Sequence, residues 1–104
     1  MNTVKKARLQ IAGWAVGDSS KFLGLTPEES RFVEMRLALA TGVREFREKR
    51  GLTQKALAEQ LGSSQSRVAK MEAGDRSVTL DLMMRSLLAM GATAKDIGKM
   101  IQHA

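Results

Sequence analysis

From residue 26 onward, apolar side chains recur at steps of three and four. Phe32, Met35, Leu39, Val43 and Phe46 share one face of a 3.6-residue repeat, which predicts an amphipathic helix. Its start is marked by Thr26-Pro27-Glu28-Glu29. Thr26 can accept from the free N–H groups of the first turn, Pro27 suits the first helical position, and Glu29 completes a capping box at the positive end of the helix dipole. Gly51 ends the stretch after a basic last turn of Arg47, Lys49 and Arg50. Because Thr41-Gly42 falls in the middle, the stretch reads as one long helix or as two shorter ones.

Beyond Gly51 the periodic segments shorten. Thr53 caps a helix over residues 54–61 that Gly62 ends, and Ser63 or Ser64 caps another running to about Ala73. Gly74-Asp75 makes a turn, and Ser77 or Thr79 opens a helix that reaches Met90 before Gly91. Thr93, with Asp96 in its first turn, starts the last one. No segment alternates as a strand would, apart from a short piece of extended character at residues 9–16. The chain therefore reads as all-α, with about five helices in a domain spanning residues 27–104, preceded by an N-terminal arm or extension of residues 1–26.

Composition narrows the chemistry. A chain of 104 residues suits one small domain. It has no cysteine, which removes disulfides, thiolate metal sites and thiol catalysis. Its one histidine, His103, stands beside the C-terminus and reads as a solvated tail residue. Glu28, Glu29, Glu34, Glu45 and Glu48 alternate with Arg and Lys along one helix, as ion-paired solvent faces do. No nucleophile–base set emerges, so an enzyme is not expected, nor is a cofactor or metal. The net charge of +6 favours a polyanionic partner. Residues 1–26 hold four basic groups against one acidic, including Lys5, Lys6 and Arg8, which suit either an arm that reaches phosphate or a solvated terminus. The apolar stretch after them is broken by Gln10 and Gly13, unlike a signal peptide or membrane span, so a cytoplasmic location is expected. Met71, Met83, Met84, Met90 and Met100 at helical spacing read as core filling, and Trp14 and Phe22 as anchors of the arm.

Residues 53–74 carry the most information. Two short helices joined by a glycine turn must cross steeply. That needs a small residue, Ala58, at the crossing, a glycine, Gly62, in the turn, and apolar filling from Leu57, Leu61, Val68 and Met71. Gln65, Ser66, Arg67 and Lys70 then occupy the outer face of the second helix. Glutamine pairs with adenine, arginine with guanine, and serine with base edges or phosphate; a merely solvated helix face is the competing reading.

In register from Gln54 to Gly74 this stretch resembles the helix-turn-helix of the Cro/C1 (XRE-type) repressor family, departing at Ser63, where that family usually has an apolar residue. The resemblance implies a lambda-repressor-like five-helix domain that binds double-stranded DNA. It implies DNA contacts at Gln54, Ser64, Gln65, Ser66, Arg67 and Lys70, with Gln54 supporting Gln65. It also implies structural support of the motif from Ala58, Gly62 and an Arg47–Glu72 pair. The expected function is a sequence-specific transcriptional regulator, a repressor acting as a homodimer on a palindromic operator. Residues 82–90 and 97–101 hold more apolar side chains than a small core needs and are the expected dimer surfaces. Together with Gly13-Trp14, residues 22–26 and residues 33–39, the motif is also similar to small HigA-like antitoxins. That resemblance implies a toxin partner and autoregulation.

Overall fold

The computed structural model describes residues 24–104. The N-terminal features at residues 1–23, including Lys5, Lys6, Arg8, Trp14, Phe22 and the extended piece at residues 9–16, lie outside them. Five helices follow one another without a strand among the described residues: α1 (Pro27–Lys49), α2 (Gln54–Leu61), α3 (Gln65–Glu72), α4 (Leu80–Ala89) and α5 (Ala94–Gln102). Each begins at a hydroxyl side chain that accepts from a backbone N–H of the first turn: Thr26, Thr53, Ser64, Thr79 and Thr93. At Thr26 the box is reciprocal, Glu29 N donating to Thr26 Oγ1 at 3.1 Å and Thr26 N to Glu29 Oε1 at 2.8 Å. Thr93 and Asp96 repeat it at α5, where the backbone N–H of Thr93, followed by its side chain, holds the Asp96 carboxyl below its ordinary range.

The alternatives left open by the sequence resolve through these hydrogen bonds. Ser64 rather than Ser63 caps α3, because the N–H of Ser63 closes the preceding turn on Ala58 O. Thr79 rather than Ser77 caps α4, because Ser77 donates to Asp75. Thr41-Gly42 does not break α1, which runs through both residues. Gly42 is buried, and a Cβ there would collide with the thioether of Met100. The glycine is where α5 crosses α1 closely, so it serves packing and not flexibility.

The core is built from α1 (Leu39, Ala40, Val43), α2 (Leu57, Ala58), α3 (Val68, Met71), α4 (Met83, Leu87, Met90) and Ile97 of α5, with Val78 from the loop before α4. Burying such side chains contributes about 1.5–3 kcal/mol each. Three of the five methionines fill it as expected; Met100 is half-buried and Met84 is exposed. Likewise most apolar residues of the last two helices are used inside the domain, and only Met84 and Leu88 of α4 point outward as large exposed side chains.

The buried face of α1 departs from the expected row. Phe32 is 48% exposed, and the first half of the helix buries Val33, Arg36 and Leu37 instead. Both rows fit a helical repeat; neighbours decide between them. From residue 39 onward, α1 packs on the main core. Among the described residues, its first half meets Leu25 and the turn after α3, which lie on the Val33–Leu37 side.

The close crossing at Gly42 generates a test. Replacing an interior helical glycine by alanine favours the helix by about 1 kcal/mol, whereas overpacking costs about 1–3 kcal/mol. Gly42→Ala therefore destabilises the protein when Met100 is present and stabilises it by about 1 kcal/mol in a Met100→Ala background. Urea denaturation of the four proteins measures this; equal effects in both backgrounds would refute the contact.

Candidate nucleic-acid interface

The turn between α2 and α3 forms because Gly62 adopts φ 65°, ψ 35°, a left-handed conformation that closes two hydrogen bonds onto the end of α2: Gly62 N to Glu59 O at 3.2 Å and Ser63 N to Ala58 O at 2.8 Å. Ala58 is buried at the crossing, Leu57, Val68 and Met71 are fully buried, and Leu61 is half-buried, as the motif requires. With Val68 and Met71 fixed inward, α3 must turn its remaining residues out.

Ser64, Gln65, Ser66, Arg67 and Lys70 are accordingly all exposed. The Ser64 hydroxyl accepts from Arg67 N at 3.1 Å. Ser64, Ser66, Arg67 and Lys70 line one wall of an open depression of about 240 Å³, and Ser77 supplies the other. Ser77 was not foreseen. The signal was present in Asp75-Arg76-Ser77, where an aspartate two residues before a serine favours a local turn. The Ser77 N–H and hydroxyl both donate to Asp75 Oδ1, at 2.8 and 2.7 Å. The hydroxyl is the larger cause and the N–H the second in holding the Asp75 carboxyl below its ordinary range.

Beneath this surface lies the Arg47–Glu72 pair. Arg47 Nε donates to Glu72 Oε2 at 2.5 Å and Nη2 to Oε1 at 3.1 Å, while Nη1 donates to the carbonyl of Leu52 at 2.7 Å. The side chains are 12% and 5% exposed. The hydrogen bonds with Glu72 raise the Arg47 pKa against the opposing effect of burial. The amide nitrogen of Gln54 joins this pair, donating to Glu72 Oε1 at 3.1 Å.

A second missed residue is Arg36. It is 7% exposed, and its Nη2 donates to the carbonyls of Asp75 at 3.2 Å and Arg76 at 3.3 Å. Burial lowers its pKa, and the nearby Asp75 charge partly offsets that. Sequence pattern alone placed it among the solvated charges of α1.

A steeply crossed helix pair with a polar, basic outer helix defines a helix-turn-helix nucleic-acid-binding domain. A family model described as helix-turn-helix, of the Cro/C1 type, matches residues 43–96. The chain belongs to this DNA-binding regulatory family. No curated protein and no solved structure is a significant match. Among the described residues, no helix is long and apolar enough to cross a membrane.

The Arg47–Glu72 pair predicts an asymmetric response to mutation. Glu72→Ala strands a largely buried guanidinium and lowers stability by about 3 kcal/mol. The double replacement Arg47→Met/Glu72→Met costs less than the single one, because no unpaired charge is left behind. Chemical denaturation distinguishes the two; a double variant weaker than Glu72→Ala would show that the pair contributes more than mutual neutralisation.

Proposed function

We propose that this chain is a sequence-specific transcriptional regulator in which α3, beginning at Gln65, enters the major groove and reads base edges with Gln65 and Arg67. Ser64, Ser66 and Lys70 take backbone phosphates, and Gln54 braces the motif through Glu72. The observation that carries this reading is the division of α3 into a locked inner face, Val68 and Met71, and a wholly exposed polar outer face. Net positive charge brings the duplex in by releasing counterions, a sequence-blind and salt-sensitive contribution; base contacts then discriminate. Residues 27–104 act as the DNA-binding unit, with residues 1–26 as an appended arm, and the protein works as a repressor in the cytoplasm. The antitoxin reading draws partly on residues 13–23, outside the described region, and no observation among the described residues favours it.

The test is fluorescence anisotropy with a duplex spanning the protein's own promoter and a random duplex, each at several salt concentrations. Gln65→Ala/Arg67→Ala weakens promoter binding by about 30-fold or more, at about 1–3 kcal/mol per base contact, and leaves random-duplex binding weak but present. Equal binding of both proteins to both duplexes would refute base reading and direct attention to a protein partner.

One helix reads too few base pairs for genomic specificity, so we propose a two-fold dimer on half-sites about 34 Å apart. Within the stretches 82–90 and 97–101, Met84 and Leu88, one turn apart on α4, are the large apolar residues left exposed to form it. Sedimentation equilibrium at micromolar concentration gives a dimer for the wild type and a monomer for Leu88→Asp; a wild-type monomer that also binds DNA one to one would overturn the dimer.

A further inference from the structure

The first half of α1 lies before the family match at residues 43–96, yet it reaches the loop that follows α3. Two consecutive residues make that contact. Leu37 packs where a side chain on Gly74 would have to sit, and Arg36 grips the carbonyls of Asp75 and Arg76. Arg36 Nε is buried and has no hydrogen-bond partner among the described residues, so the residue accepts an unfavourable environment to reach this loop. The loop in turn fixes Ser77 through Asp75, and Ser77 faces Ser64, Ser66, Arg67 and Lys70 across the 240 Å³ depression. Besides Arg67, assigned above to base edges, the depression is walled by three serine hydroxyls and the Lys70 cation. These groups suit an oxyanion with several acceptor oxygens, and such an oxyanion recurs along a duplex as the backbone phosphate.

We propose that Arg36 is a positioning residue for DNA binding: by anchoring the Asp75–Arg76 carbonyls it sets Ser77 opposite α3, so that the depression closes on one backbone phosphate. This rests on the DNA-binding reading above. On binding, the Ser77 hydroxyl exchanges the Asp75 carboxylate oxygen for a phosphate oxygen, one anionic acceptor for another. The Ser77 N–H keeps Asp75 in place meanwhile. No base is involved, so the contribution is independent of sequence.

A random-sequence duplex is therefore the probe, with the full-length chain. Arg36→Met, which keeps the bulk and removes both the donors and the buried charge, weakens binding about 3- to 10-fold, the worth of one hydrogen bond to phosphate. Ser77→Ala weakens it by a similar factor, and the double variant is no weaker than the weaker single one, because Arg36 acts through Ser77. Amide hydrogen exchange at Ser77 and Val78 accelerates in Arg36→Met, while the Leu57 and Val68 amides of the core keep their protection. Wild-type affinity in Arg36→Met, or factors that multiply in the double variant, would overturn the proposal. Loss of promoter preference with the Arg36 effect intact on the random duplex would overturn base reading alone, and absence of any duplex binding at low salt would overturn both.

Discussion

The carboxylate of Glu72 ties the DNA-binding face to the body of the domain. It stands at the last residue of α3 and accepts from Arg47 of α1 and Gln54 of α2, while the same Arg47 holds the Leu52 carbonyl in the turn between those helices. Three helices and one turn thus converge on a single anion that is almost excluded from water. An apolar contact of the same size would tolerate sliding, because dispersion and hydrophobic burial are non-directional. A bidentate guanidinium–carboxylate pair does not, since its two bonds fix both distance and orientation. The orientation of α3 relative to α1 and α2 is therefore set by hydrogen-bond geometry at one end and by the Gly62 turn at the other.

Between those two fixed ends α3 has only 8 residues, about two turns. An isolated helix of that length is unstable in water, so its conformation is owed to Val68 and Met71 in the core and to its caps. This has a functional consequence. Among the described residues, Gln65, Ser66, Arg67 and Lys70 serve the fold through their backbones, the N–H of Arg67 at the Ser64 cap and the carbonyl of Lys70 accepting from Asp75 N, and not through their exposed side chains. Their identities can change while the helix stays where it is. The residues that hold α3 lie on one side of it and its exposed polar side chains on the other.

Much of this was legible in the sequence because it depends on local chemistry. Capping hydroxyls, the glycines that end helices and the small residue at Ala58 act within a few residues of where they stand, and each lies where the sequence placed it. The Arg47–Glu72 pair was legible through the family resemblance, not through spacing. Three features were not legible, and all depend on distant segments. The choice between the Phe32 and Val33 rows of α1 is made by the loop after α3, some forty residues away. Gly42 left one helix or two equally open, because its role appears only when Met100 arrives beside it. Arg36 looked like one more solvated charge, since burial of a guanidinium leaves no mark on a helical periodicity. Which acceptor Gln54 would choose was likewise a matter of tertiary geometry.

The length of α1 gains meaning from these long-range contacts. A helix of 23 residues spans about 35 Å, more than packing on one small core requires. Its second half does the usual work of an inner helix, burying Leu39, Ala40 and Val43 and presenting Arg47 to Glu72. Among the described residues, its first half has a minor apolar cluster, Val33 and Leu37 with Leu25, and a capping box to keep it helical. This stretch stays helical because it is continuous with the better-packed half, since helix propagation is far easier than nucleation. The same rigid rod therefore grips α3 at its last residue through Arg47 and the loop just beyond it through Arg36. The two contacts lie eleven residues apart on α1, about 16 Å along its axis. A displacement of α3 that relieved one would strain the other, so the end of the DNA-facing helix and the loop that flanks it are positioned as one body.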